Sequence, residues 1–146
     1  MGACASSKKE SITDKDLPPP IVQGNVYQKF EKSLPFYCIY ISVFKEKVHE
    51  AAELDQKMER GDGTTVTLDS LRLTLTTAAW DELKKDDSRV TKLITSDIFK
   101  ADKDSDKISV TTLLLFGFHH CAGTVRNKSE LLYDLFKEGN PEQTDL

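Results

Sequence analysis

An all-α fold of helix–loop–helix units behind a disordered tail is predicted by three observations. Apolar residues recur at three- and four-residue steps over most of the chain from Pro35 to Gly139, which is the helical rather than the strand period. Two acidic stretches, "RGDGTT" and "ADKDSDKISV", interrupt that pattern. Each carries a β-branched residue at its far side, Val66 and Ile108, and each is followed by another apolar run.

The elements follow in order. Residues 1–25 are expected to be a flexible tether, because they are polar, of mixed charge and too poor in apolar surface to offset the entropy of ordering. Pro18, Pro19 and Pro20 give it a stiff polyproline stretch. Residues 26–140 form the helical domain, and 141–146 a disordered C-terminal tail. Phe36, Tyr40, Val43, Phe44, Val48, Ala51, Leu54 and Met58 line one face of a first helix with Pro35 in its opening turn. The helix ends where Gly61, Asp62 and Gly63 signal a turn.

"TLDSLRLTLTTAAWDELKK" is read as a helix begun by Thr67, although Leu71, Leu73 and Leu75 also alternate as in a strand. "DDSRVTKLITSDIFKA" is a clearer helix, with Val90, Leu93, Ile94 and Ile98 on one face. "VTTLLLFGFHHCAG" should be a buried helix ending near Gly123. "NKSELLYDLFKEG" opens with a capping box of Asn127 and Glu130 and closes at Gly139.

Composition narrows the function classes. A chain of 146 residues holds one compact domain plus a tail. Its 38% apolar and 30% charged residues are those of an ordinary soluble protein. A net charge of −4 without a Lys/Arg stripe argues against a nucleic-acid partner. The three cysteines, Cys4, Cys38 and Cys121, are odd in number and far apart, which suits a reducing compartment better than a disulfide framework. No apolar run approaches the roughly 20 residues that a membrane-spanning helix needs. Membrane association would have to come from an attached group.

The first residues offer that attachment. "MGACASSKK" fits the acylation pattern M-G-x-x-x-[ST] with Gly2 as acceptor and Ser6 as the small hydroxyl residue. Cys4 lies beside the acylated glycine, where a thiol that visits the membrane can be palmitoylated. One myristoyl chain binds a bilayer only marginally, and a second acyl chain on Cys4 would make residence stable. The start resembles that of dually acylated eukaryotic signalling proteins, including acylated flagellar calcium-binding proteins. The resemblance implies the cytosolic face of a membrane, with the ciliary or flagellar membrane among the candidates.

From about Phe36 to Gly139 the succession of helix, acidic loop and helix resembles the EF-hand superfamily, in particular calcineurin B and neuronal calcium sensors. "TSDIFKAD", "DKDSDKIS" and "VTTLLLF" match the entering helix, loop and leaving helix of one hand, and "LDQKMERGDGTTVTLDSL" resembles a weaker hand. The resemblance implies that Val66 and Ile108 pair in the two-stranded link. It also makes "ELLYDLFKEG" the entering helix of a third hand that is never completed.

Calcium needs six to eight oxygens at about 2.3–2.6 Å, which an EF-hand loop supplies from positions 1, 3, 5, 7 and 9 and a bidentate glutamate at 12. Asp102, Asp104 and Asp106 match the first three ligand positions. The glycine that should follow is missing, and Thr112 stands where the glutamate belongs. In the first hand Glu59, Gly61 and Gly63 occupy places where aspartates are usual, and Asp55 is a candidate displaced first ligand. The loops are therefore expected to serve shape more than ion binding, with weak Ca2+ binding at Asp102, Asp104 and Asp106 as the alternative.

Other constellations carry less. His119, His120 and Cys121 are adjacent on a helix, point about 100° apart and cannot all face one zinc ion. No phosphate loop, dinucleotide turn or catalytic carboxylate frame is present, so an enzyme is not expected. Trp80 is read either as a core residue or as the wall of a groove for a partner helix. The function these residues predict is a lipid-anchored, EF-hand-like adaptor that recruits a helical protein segment largely without calcium. A calcium sensor working through its second loop, or a structural subunit of a flagellar or cytoskeletal assembly, are the rivals.

Overall fold

The computed structural model describes residues 26–139. The tether and the C-terminal tail expected at 1–25 and 141–146 lie outside them. The described residues are mostly helical: α1 (Val26–Ser33), a 3-10 turn (Pro35–Cys38), α2 (Ile41–Lys57), β1 (Thr65–Val66), α3 (Leu68–Thr74), a second 3-10 segment (Ala78–Lys84), α4 (Arg89–Ile94), β2 (Ile108–Ser109), α5 (Val110–His120) and α6 (Val125–Gly139). β1 and β2 pair antiparallel with Val66 opposite Ile108, the pairing expected from the sequence. Both side chains are fully buried, so the link between the two halves is also part of the core.

The helices depart from expectation where burial demands it. Periodicity predicts a first helix running from Pro35, but Pro35–Cys38 forms a 3-10 turn and Ile39 and Tyr40 are extended. Those two residues instead meet the end of α5: Ala122 N donates to Ile39 O at 2.9 Å, and Ile41 N donates to Ala122 O at 2.7 Å. The helix begun by Thr67 forms with its expected cap, whose side chain accepts from Ser70 N, but stops at Thr74. A continuous helix turns about 100° per residue and would place Trp80 opposite Leu71. Both are fully buried, and the break at Leu75 (φ −90°, ψ 79°) lets both reach the core.

α4 is likewise short, ending at Ile94 after a start capped by Ser88. Val90 and Ile94 are buried as expected, whereas Ile98 is exposed and Phe99 takes the core position instead. α5 ends at His120, and Cys121 is already extended. The expected capping box on the last helix does not form: Thr124 Oγ1 accepts from Asn127 N at 3.1 Å, and Glu130 pairs with Arg126. The cap therefore lies three residues earlier in the chain than Asn127, and α6 gains its first turn from it.

The core is held by aromatic rings drawn from both halves of the helical domain, between Phe36 and Phe116. Phe36 meets Phe44, Trp80 and Phe116 edge-on, with centroids 5.4, 5.0 and 4.8 Å away. Phe44 and Trp80 stack at 6.0 Å, and Phe99 meets Phe116 at 5.2 Å. Burying one such side chain contributes about 1.5–3 kcal/mol, and a well-placed aromatic pair adds about 0.5–1.5 kcal/mol.

α2 crosses α5 closely because Gly117 leaves room for it. A Cβ at Gly117 would lie 2.6 Å from the Phe44 ring and 3.1 Å from Ile41 Cδ1. Neither neighbour has space to withdraw, since both are fully buried. We predict that Gly117→Ala destabilises the protein by about 1–3 kcal/mol through overpacking, despite the higher helix propensity of alanine. Urea unfolding of the purified variant measures it.

Candidate functional site

Asp55 sits on the last full turn of α2 with its side chain only 1% exposed. A carboxylate removed from water needs donors on nearly every lone pair. Asp55 finds them across the first loop. Its Oδ2 accepts from Thr67 N at 2.6 Å, and its Oδ1 accepts from Ser70 Oγ at 2.6 Å and Thr67 Oγ1 at 3.0 Å. Arg60 Nη2 lies 3.2 Å from the same Oδ1 and donates to Ser70 Oγ at 3.3 Å.

The chain is bent to deliver that guanidinium. α2 gives way at Met58, Glu59 takes a left-handed backbone conformation (φ 58°), and Arg60 N donates to Asp55 O at 2.8 Å. Non-glycine residues rarely adopt this region, and its cost is offset here by the pairing of half-exposed Arg60 with the buried Asp55 carboxylate that the bend permits. Beyond it, Asp62 Oδ1 accepts from Thr64 N at 3.0 Å and from Thr64 Oγ1 at 2.5 Å. The Thr64 hydroxyl, followed by its amide, holds the Asp62 carboxyl below the usual carboxylate range. The loop is thus closed on itself, with a fixed side-chain cation beside its buried carboxylate.

The second loop is built differently. Ala101 N donates to Lys107 O at 2.9 Å and Ser109 N to Phe99 O at 2.7 Å, so the segments flanking the aspartates pair as a tight hairpin. Asp102, Asp104 and Asp106 are exposed on its tip. Among the described residues, no group of three or more His, Cys, Asp or Glu side chains is gathered as a metal ion would need. Thr112, in the place of a closing glutamate, donates its backbone N–H to the Ser109 cap at 3.3 Å.

The two loops nonetheless share a spacing. Asp97 stands to Ile108 as Asp55 stands to Val66, and Thr112 stands to Ile108 as Ser70 to Val66. Sequence reading takes Asp55 only as a displaced ligand and misses Arg60, Thr67 and Ser70 as its partners. The repeated spacing is the signal that could have found them. It does not decide the outcome, because Asp97 faces solvent and pairs with Lys100 at 3.0 Å.

Trp80 is 1% exposed and packed between Phe36 and Phe44. It therefore stands in the core and not on the wall of an open groove. His119 is exposed, His120 half-buried and Cys121 buried, so the three point to different surroundings. Burial pushes the Cys121 thiol well above its ordinary range, which makes it a packing residue and no nucleophile. Gly2 and Cys4 lie outside the described residues. No helix among the described residues is long and apolar enough to cross a membrane.

His120 joins α5 to α1. Its Nδ1 lies 2.8 Å from Glu31 Oε1, and its ring packs on Phe116 at 4.2 Å. Burial lowers its pKa below the ordinary 6.5, outweighing the attraction of Glu31, while His119 and Lys128 push the same way as burial. The neutral ring donates its Nδ1–H to the Glu31 carboxylate.

No family model matches this chain, and neither a characterised protein nor a solved structure shows detectable similarity to it.

Each of these contacts has a measurable consequence. Asp55→Ala strands Arg60, Thr67 and Ser70 together and should cost roughly 3–5 kcal/mol in urea unfolding, as breaking a buried charge network does. Asp104→Ala, on the exposed tip, should stay within about 0.5 kcal/mol of the parent. For His120, the folded pKa lies below the unfolded value, so the unfolded chain takes up the proton first as pH falls. Its contribution to stability is complete above about pH 6.5 and declines below it. Thermal melts across that range should show the decline, and His120→Gln should flatten it.

Proposed function

We propose that the protein is a lipid-anchored adaptor of EF-hand type that holds a helical segment of a partner protein with little dependence on calcium. The observation that carries this reading is Arg60 beside Asp55. In an EF-hand the carboxylates at the head of the loop are held apart until a divalent cation joins them. Here a guanidinium and two hydroxyls already satisfy the one buried carboxylate of the first loop. The fold needs no ion at that place.

Several features support the EF-hand architecture behind this proposal. Each half carries a helix, a loop, a two-residue strand and a second helix, and Val66 opposite Ile108 matches the link between paired hands. Ser109 and Thr67 cap the two leaving helices in the same way. The acylation pattern around Gly2 and Cys4 supports the anchor.

The partner helix belongs on α6. Leu131 on this helix is buried and Leu135 packs against the core, while Tyr133 and Phe136 remain 63% and 65% exposed, with Val125 on the same face. If α6 is the entering helix of an unfinished third hand, that stripe is where its missing companion would pack. A helix laid in such a place is a common mode of peptide recognition.

The reading is tested by thermal unfolding of the full chain with calcium and then with chelator. The two melting curves should coincide, because a ligand that does not bind the native state cannot stabilise it. A higher melting temperature in calcium, removed by Asp104→Ala, would instead establish the second loop as a sensor site.

A further inference from the structure

α1 has an uncovered face, and its chemistry says what covers it. The helix is eight residues long with none of them buried. So short a helix is not stable in water on propensity alone. Val26, Tyr27 and Phe30 are 86%, 62% and 41% exposed and fall on one arc of the helix, and exposed Tyr37 follows in the adjoining turn. The acidic residue of α1, Glu31, is turned onto His120. That leaves Lys29 and Lys32 as its outward charges, neither of them in an ion pair among the described residues.

We propose that α1 lies flat on an anionic lipid surface, with Val26, Tyr27 and Phe30 at the boundary of headgroups and acyl chains and Lys29, at the edge of that arc, among the phosphates. This rests on the lipid-anchor reading. The chain preceding α1 is residues 1–25, with the acylation pattern at its far end and Lys8 and Lys9 beside it. α1 is the first element among the described residues, and it presents the combination of aromatic and basic residues that suits an interfacial helix. Tyrosine is favoured at that depth because its ring is apolar and its hydroxyl stays hydrated. Each lysine near an anionic surface adds attraction that salt weakens.

The test uses the myristoylated full chain and phosphatidylcholine vesicles containing phosphatidylserine. Tyr27→Ser/Phe30→Ser should lower vesicle affinity about tenfold, because two partly exposed rings lose their lipid contact. Leu73→Ser/Ile98→Ser, two exposed apolar residues away from α1, should leave it unchanged. Circular dichroism checks that both variants fold. Equal affinity for the parent and the α1 variant overturns the proposal and leaves that face to a protein partner.

A second arm separates α1 from the anchor. Phe30→Trp in a Gly2→Ala chain should shift its fluorescence to the blue at high concentrations of the same vesicles and less with phosphatidylcholine alone. Trp80, being buried, gives a constant background. If the myristoylated parent fails to sediment but the fluorescence of the introduced indole shifts, the anchor reading falls and the α1 surface stands. If that fluorescence does not shift at any lipid concentration, the α1 proposal falls whatever the acylated chain does.

Discussion

A carboxylate withdrawn from water has few tolerable environments, and the one around Asp55 fixes the first half of this molecule. The side chain reaches from the end of α2 to the start of α3, so its bonds to Thr67 and Ser70 hold two helices at a set separation. Arg60 neutralises the charge, and the left-handed turn at Glu59 exists to bring it there. β1 then follows at the height where Val66 can meet Ile108, and the second half is positioned through that pairing. Remove the carboxylate and the helices on either side of the loop lose their common reference point.

The two halves answer the same structural problem with different chemistry. One closes its loop by pairing a buried carboxylate with a half-exposed guanidinium; the other closes it with backbone hydrogen bonds between Phe99–Ala101 and Lys107–Ser109. In the second case the aspartates are left free to be hydrated, which is where three like charges are least costly. Both solutions join helix to helix through the protein's own groups. Packing is shared instead through the ring cluster of Phe36, Phe44, Trp80, Phe99 and Phe116, whose members come from both halves. Close approach at Gly117 makes that cluster possible, since a side chain there would force Phe44 out of it.

Much of this was legible in the sequence and some was not, for identifiable reasons. Helical period located α2, α5 and α6, and the resemblance to paired EF-hands pointed to the strand pair at Val66 and Ile108. What period could not show is where a helix must break so that residues on opposite faces are both buried, as with Leu71 and Trp80. The same limit hid the early end of α4, which trades Ile98 for Phe99. α1 was not anticipated as a helix, because "VYQKFEKS" is short and buries nothing. At the loops, the spacing of Asp55 and Asp97 is equal, yet one is buried and one exposed. That difference depends on Arg60, a residue whose role appears only when the chain folds back on itself.

The exchange of hydrogen bonds between Ile39, Ile41 and Ala122 brings the chain's entry into the core next to its exit. The segments that follow α1 and precede α6 therefore lie side by side, and Lys45 of α2 pairs with Asp134 of α6 at 2.7 Å. On the proposed reading, cargo gripped by one helix is confined to a thin layer above the sheet of lipid touched by the other. Its encounters with other residents of that layer become a two-dimensional search, with a local concentration set by geometry and not by the cell's bulk supply.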